Sequence, residues 1–243
     1  RQVHLGIGAF MRAHMAAATE AAITAGDLRW GIAGVSLRQT DTRDALEPQG
    51  GLYTLAIRDA DAQGQPRQRL QVIGAVRSLL VAPENPRAVL DAIAAADTRI
   101  VSLTVTEKGY CHDPATGALR LDHPDIVHDL AHPRAPRSAI GMLVYGLQLR
   151  HAQDHGPLTL MSLDNLPANG RVLRAAVLRF AEEIDSTLRT WIEGQCRFPC
   201  SMVDRIVPAM TDAAFDALEA RLGSSDPVAV EAEPFFQWVI EDN

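Results

Sequence analysis

An apolar run beginning at Val3 enters Gly6-Ile7-Gly8, and an alanine-rich stretch, Arg12 to Ala25, follows and ends at Gly26. A strand, a glycine turn and a helix in this order form the first half of a βαβ unit. The same alternation continues downstream. The patterns predict strands at Val3–Ile7, Trp30–Leu37, Tyr53–Ile57, Leu70–Val76, Arg99–Thr106, Leu158–Ser162 and Val228–Glu231. Between them they predict helices at Arg12–Ala25, Pro86–Ala96, Ser138–His155 and Gly170–Glu183. Pro86 suits a first helical turn, Ser138 suits an N-cap and Gly26 suits a C-cap. The expected fold class is α/β, Rossmann-like and doubly wound on a mostly parallel sheet. Residues 1–243 are expected to form one dinucleotide-binding domain. Such sheets bind ligands outside the carboxyl ends of their strands, so the segments just after strands carry the functional weight.

Five of these segments stand out. Gly6–His14 has the strand, turn and helix that a pyrophosphate site needs, although Met11 occupies the place of the usual third glycine. Asp41 follows the second strand, where an acid accepts hydrogen bonds from the adenosine ribose; it also suits the N-cap of a short helix. Arg38 and Arg43 beside it leave room for a 2′-phosphate. Thr104–Tyr110 leaves a buried strand. Lys108, the only lysine of the chain, lies in it and reads better as a surface residue than as a general base. In Ser162–Gly170, Asn165 fits either turn chemistry or a donor to a developing oxyanion, and the residues alone do not choose. Asp204–Arg205 fits either a structural ion pair or the border of a nicotinamide site.

Composition removes several function classes. The formal net charge is −7, which argues against a nucleic-acid or anionic-membrane partner. No apolar run approaches the roughly 20 residues that span a bilayer. The first strand begins at once, so Arg1–Gly6 does not read as a signal peptide. Cys111, Cys196 and Cys200 form an odd set without a Cys-x-x-Cys pair, which suggests a reduced, cytoplasmic setting and no metal site.

Taken together, Gly-Ile-Gly-Ala-Phe-x-Arg-Ala-His at 6–14, Thr-Glu-Lys-Gly-Tyr-Cys at 106–111, Asp-Asn-Leu-Pro-Ala-Asn-Gly at 164–170 and Met-Val-Asp-Arg-Ile at 202–206 resemble the mannitol dehydrogenase family of polyol and hexuronate reductases. Glu-Pro-Phe at 233–235 and Gln-Trp-Val-Ile-Glu-Asp at 237–242 add to the match. Thr-Glu-Lys-Gly-Tyr-Cys and Phe-Pro-Cys-Ser-Met-Val-Asp-Arg-Ile-Val-Pro look most like the D-mannonate oxidoreductase (fructuronate reductase) branch. The Asp-Asn-Leu-Pro-x-Asn-Gly motif looks equally like mannitol 2-dehydrogenases.

The resemblance implies NAD held by Gly6, Gly8, Ala9, Phe10 and Asp41, with Asp204 near the cofactor. It implies Asn165 as a donor to the substrate oxygen, and a small sugar acid or polyol as substrate. Family members carry their catalytic lysine in a helical second domain, which is expected to be absent from these 243 residues. Two departures are Met11, where relatives usually have histidine, and Thr40, where they often have an acid. The rival readings are a non-catalytic NAD-binding module and, more weakly, a methyltransferase that binds S-adenosylmethionine. Oligomeric state is not legible.

Overall fold

The structure is a computed structural model that describes residues 1–242. The chain begins with β1 (Gln2–Leu5), α1 (Ala9–Ala13), α2 (Met15–Thr24), β2 (Ile32–Ser36) and α3 (Asp41–Leu46). A hairpin of β3 (Tyr53–Ala60) and β4 (Pro66–Ile73) comes next, then β5 (Val76–Val81), α4 (Pro86–Ala94) and β6 (Ile100–Leu103). After α5 (Pro124–Ala131), α6 (Ala139–Ala152), β7 (Thr159–Ser162), α7 (Asn169–Ile184) and α8 (Ser186–Gln195) come β8 (Ser201–Asp204), α9 (Asp212–Leu222), β9 (Val230–Ala232) and β10 (Gln237–Ile240).

The main sheet has the order β5-β2-β1-β6-β7, and every neighbouring pair in it is parallel. The chain works outward from β1 to β2 and β5, then returns to β6 on the other side of β1. The strand order therefore reverses between β1 and β6, which is the expected ligand crevice of such a sheet. The predicted mostly parallel, Rossmann-like sheet is what the structure shows.

Period-two alternation divides β1 between two layers. Val3 and Leu5, with Val35, Val101, Leu103 and Leu160, pack under α4, α6 and α7. Gln2 and His4 face the other way, and Gln2 Nε2 donates to Thr19 Oγ1 of α2 at 3.1 Å. A second core cluster on that side joins Met11, Met15 and Ala16 to Tyr53, Leu55, Ile57 and Ile73 of the hairpin. There β3 pairs antiparallel with β4 and parallel with β9, while β8 and β10 form a separate two-stranded ribbon.

Local chemistry explains most boundaries. Asn85 Oδ1 accepts from Ala88 N at 3.0 Å and Pro86 opens α4. Ser138 Oγ accepts from Gly141 N at 2.9 Å, so the predicted cap of α6 holds. Two predicted elements are corrected. The single helix at Arg12–Ala25 starts earlier, at Ala9, and breaks at His14, whose φ of −109° and ψ of −81° are not helical. Side chains divert the carbonyls there: Tyr53 Oη donates to Arg12 O at 2.7 Å, and Arg205 Nη1 donates to Ala13 O at 2.6 Å. The strand predicted at Leu70–Val76 is the end of β4 and the start of β5. The chain changes sheets at Gly74-Ala75, which a continuous apolar run conceals.

Candidate active site

The carboxyl ends of β2, β1, β6 and β7 lie on one edge of the sheet. They bring Asp41, the Gly6 turn, Thr104–Thr106 and Asp164–Asn165 into one row.

Gly6 adopts φ +103°, a region open to glycine, and a Cβ there would overlap the Thr104 carbonyl. Its N–H donates to Val35 O at 2.8 Å, and its carbonyl accepts from Thr104 Oγ1 at 2.9 Å. The turn is thus wedged between β2 and β6. Gly8 is exposed, and a Cβ added to it would meet nothing within 4 Å. Ala9 is exposed as well, at the first position of α1. Phe10 is half-buried and its ring stacks on His14, with centroids 5.0 Å apart. The open flank of Gly8 is the kind of space into which a phosphate group approaches a backbone.

Beneath the turn lies a buried polar chain that sequence reading missed. His4 is fully buried, with Nδ1 2.8 Å from Ser102 Oγ and Nε2 2.9 Å from Thr104 Oγ1. Because Thr104 donates its hydroxyl proton to Gly6 O, its oxygen accepts from His4 Nε2–H, which leaves Nδ1 as the acceptor nitrogen of the neutral ring, beside a Ser102 hydroxyl that also reaches Met15 Sδ at 3.2 Å. Burial pushes the His4 pKa down to about 3, so the ring is neutral. The signal was present in Gln2-Val3-His4-Leu5, where every second residue is polar in an otherwise buried strand.

Asp41 is exposed and is the first residue of α3; Thr40, not Asp41, stands at the N-cap, so the capping role is not realised. Arg43 is held by Glu84 at 2.8 Å and Asp44 at 2.6 Å, and these contacts raise its pKa. Its charge is already matched, which leaves Arg38 as the neighbouring exposed cation without an ion pair among the described residues.

The Ser162–Gly170 segment separates into three roles. Asn165 is exposed and makes no hydrogen bond among the described residues, so its amide is free. Asp164 accepts from Val105 N at 3.1 Å, Thr106 N at 2.9 Å and Tyr110 Oη at 2.8 Å. Asn169, buried, shares its amide protons among Ser162 O, Asp164 O and Ser201 O at 2.9–3.2 Å and accepts from Ser201 N at 2.9 Å. Asn169 therefore ties β7 to β8. The free amide is Asn165, and the structural one is Asn169.

Asp204 is exposed at the end of β8, paired in register with Gln237. The ion pair considered for Asp204–Arg205 is not formed. Arg205 is buried and donates to Ala13 O and Glu233 O. Next to it, His14 is sandwiched between Phe10 and Phe236, and Nε2 lies 2.8 Å from Gln237 O. This aromatic stack fastens α1 to β10. Lys108 is exposed in a 3-10 turn.

Cys111, His123 and Asp125 place ligand-type atoms within 4.8 Å of one another. Capping accounts for this closeness: His123 Nδ1 accepts from Asp125 N at 3.2 Å at the start of α5. Burial raises the Cys111 thiol to about 11, so it stays protonated. A cavity of about 720 Å³ opens among Arg1, Trp30, Arg77 and Arg99, at the amino ends of the strands and therefore across the sheet from the glycine turn. No helix among the described residues is long and apolar enough to cross a membrane.

Comparison with known proteins agrees with this fold. The family model described as the mannitol dehydrogenase Rossmann domain matches residues 1–243. D-mannonate oxidoreductase of Escherichia coli is 46% identical over all of this chain and 50% of its own length. Mannitol 2-dehydrogenase of Cereibacter sphaeroides is 43% identical over 99% of this chain and 50% of its own length. The solved Pseudomonas fluorescens mannitol 2-dehydrogenase, a ternary complex with NAD and D-mannitol, superposes with a TM-score of 0.93 at 41% identity, covering all of this chain and 49% of that one. The chain thus spans about half the length of these relatives.

Proposed function

Since the chain belongs to the mannitol dehydrogenase family, whose Rossmann-domain model it matches from end to end, we propose that residues 1–243 are the NAD-binding domain of a dehydrogenase acting on an open-chain sugar acid or polyol. The favoured pair is D-mannonate and D-fructuronate, for the Thr-Glu-Lys-Gly-Tyr-Cys motif and the 46% identity to the D-mannonate enzyme. The second reading is D-mannitol and D-fructose, for the 0.93 TM-score to the mannitol complex.

The observation that carries the reading is one row of groups at the strand-order reversal: a glycine turn with an open flank at Gly8, and a free amide at Asn165. Gly6, Gly8, Ala9 and Phe10 would hold the pyrophosphate side of NAD, Asp41 the adenosine ribose, and Asp204 would border the nicotinamide. When bound, the nicotinamide supplies the two-electron redox chemistry. Asn165 donates to the substrate oxygen as that oxygen gains negative charge. Such a donor acts mainly in the transition state, where it contributes about 3–4 kcal/mol. Lys108, exposed in a solvent-facing turn, is not proposed as the base for the substrate hydroxyl; by the family resemblance that base is a lysine of a helical second domain.

The test uses the full-length enzyme. D-mannonate, D-mannitol, D-altronate and D-arabinitol are offered with NAD and with NADP, and reduced cofactor is followed by absorbance. Turnover of one of these with NAD is expected, and Asn165→Ala should lower kcat by about a hundredfold with NADH affinity nearly unchanged. Inactivity on every sugar acid and polyol would overturn the proposal.

A further inference from the structure

Between the end of β6 and the 3-10 turn at Glu107–Tyr110, the backbone takes a conformation foreign to its residue. Thr106 adopts φ 63° and ψ 167°, a region that glycine alone occupies comfortably. A β-branched residue stays there only when its surroundings impose it. The neighbouring loop supplies that constraint through one side chain. Asp164 Oδ1 accepts from Thr106 N at 2.9 Å, and Oδ2 accepts from Val105 N at 3.1 Å and Tyr110 Oη at 2.8 Å. Tyr110 is fully buried, and its hydroxyl also lies 2.5 Å from Ser162 Oγ. Burial, with Asp164 beside it, raises the Tyr110 pKa, so the phenol remains a proton donor to the carboxylate.

These contacts extend in both directions. Toward β1, Thr104 donates to Gly6 O and its carbonyl packs against the Gly6 turn. Toward β7, the residue after Asp164 is Asn165, whose side chain has no partner of its own to orient it. Nothing but backbone placement locates the Asn165 amide; beyond the β6–β7 ladder and the bond from Leu163 N to Leu103 O at 2.9 Å, Asp164 is the side chain that ties this backbone to Val105 and Thr106, just after Thr104. A carboxylate beside a site of developing negative charge would also oppose the reaction if it were unpaired; here three donors engage it.

We infer that Asp164 is a positioning residue: by clamping the strained Val105–Thr106 backbone to the end of β7, it sets the distance between Asn165 and the glycine turn, and so the approach of substrate oxygen to its donor. This rests on the dehydrogenase reading given above.

The experiment compares full-length wild-type enzyme with Asp164→Ala, Asp164→Asn and Tyr110→Phe. NADH titration gives affinity and the number of intact sites, and kcat is expressed per intact site. Melting temperature and the kinetic isotope effect of a substrate deuterated at the reacting carbon are measured on the same preparations. Asp164→Ala should lose about tenfold or more in kcat per site, because misplacement by an ångström suffices for such losses. NADH affinity should change by less than about threefold, since the glycine turn is untouched. The isotope effect should equal or exceed the wild-type value. If Asp164→Ala does not fold, Asp164→Asn decides. Its amide sets an NH₂ against a backbone N–H, and kcat per site should still fall severalfold. Tyr110→Phe, which keeps both backbone bonds, should stay closer to wild type.

A purely structural Asp164 would lower the melting temperature and the number of sites but leave kcat per site and the isotope effect unchanged. That result in a folded variant overturns the inference. A wild-type enzyme inactive on all sugar acids and polyols overturns the dehydrogenase reading first, and this inference with it.

Discussion

Acid should destabilise this protein in good part through the ring of His4. The imidazole is fully buried and neutral, with its pKa lowered to about 3 by burial from an ordinary 6.5. Between those values the unfolded chain binds one more proton than the native state. Stability therefore rises with pH across this window and is lost as pH falls from 6.5 toward 3. Each pH unit corresponds to about 1.4 kcal/mol, so lowering the pH from 6.5 to 5 should remove about 2 kcal/mol. That is a large share of the roughly 5–15 kcal/mol that holds a typical domain folded. His14 is also buried with its pKa lowered, in the same direction, so wild type alone does not isolate His4. The control is His4→Gln, whose amide can donate to Thr104 and accept from Ser102 without titrating. Urea unfolding at fixed ionic strength, at several pH values from 7.5 to about 5, gives both profiles. The wild-type profile should fall about 2 kcal/mol further than the variant's. Parallel profiles, or a His4 ring that titrates near 6.5 by NMR, would refute the assignment of a buried neutral histidine.

Three further outcomes follow from the site. Gly6→Ala should cost about 3 kcal/mol or more, seen as a clear fall in melting temperature, because its Cβ overlaps Thr104 and its φ is positive; Gly8→Ala should melt normally yet bind NADH more weakly. NAD should bind more tightly than NADP, and Asp41→Ala should narrow that gap in competitive titrations; equal wild-type affinities would remove Asp41 from the ribose site. Asn169→Ala should lower stability by about 2–3 kcal/mol, because Ser201 N–H loses its buried acceptor, whereas Asn165→Ala should leave the melting temperature unchanged.

The features legible in the sequence were those written in local pattern. The run from Val3 into Gly6-Ile7-Gly8, and β-branched runs spaced by helices, announced the parallel sheet and the edge on which the candidate site lies. Asn165 became a candidate because it follows a strand. What escaped was set by contacts distant in sequence. The break at His14 depends on Tyr53 and Arg205 capturing carbonyls, which no reading of Arg12–Ala25 reveals. β8 and β10 are four-residue, half-exposed strands that exist by pairing with each other. β5 was hidden because one apolar run serves two sheets. Asp164 and Asn169 share a short polar segment with Asn165, and their partners, Thr106 on one side and Ser201 on the other, tell the three apart.

The pairing of β3 with β9 also shapes how the chain acquires its structure. Leu55 lies opposite Val230, and Asp226 accepts from Thr54 N at 2.6 Å. A chain emerging amino end first has every strand of the main sheet once Ser162 is out, and the partners in that sheet, such as Gln2 with Ile32 or Ile100, are far closer in sequence than Leu55 is to Val230. The hairpin side has to wait for Asp226–Ala232, and the edge of β3 that pairs with β9 stays open until then. Closing so long a loop is entropically slow, so this layer is the late, aggregation-exposed step of folding. Nascent chains halted before Asp226 should accordingly be the ones that recruit holdase chaperones.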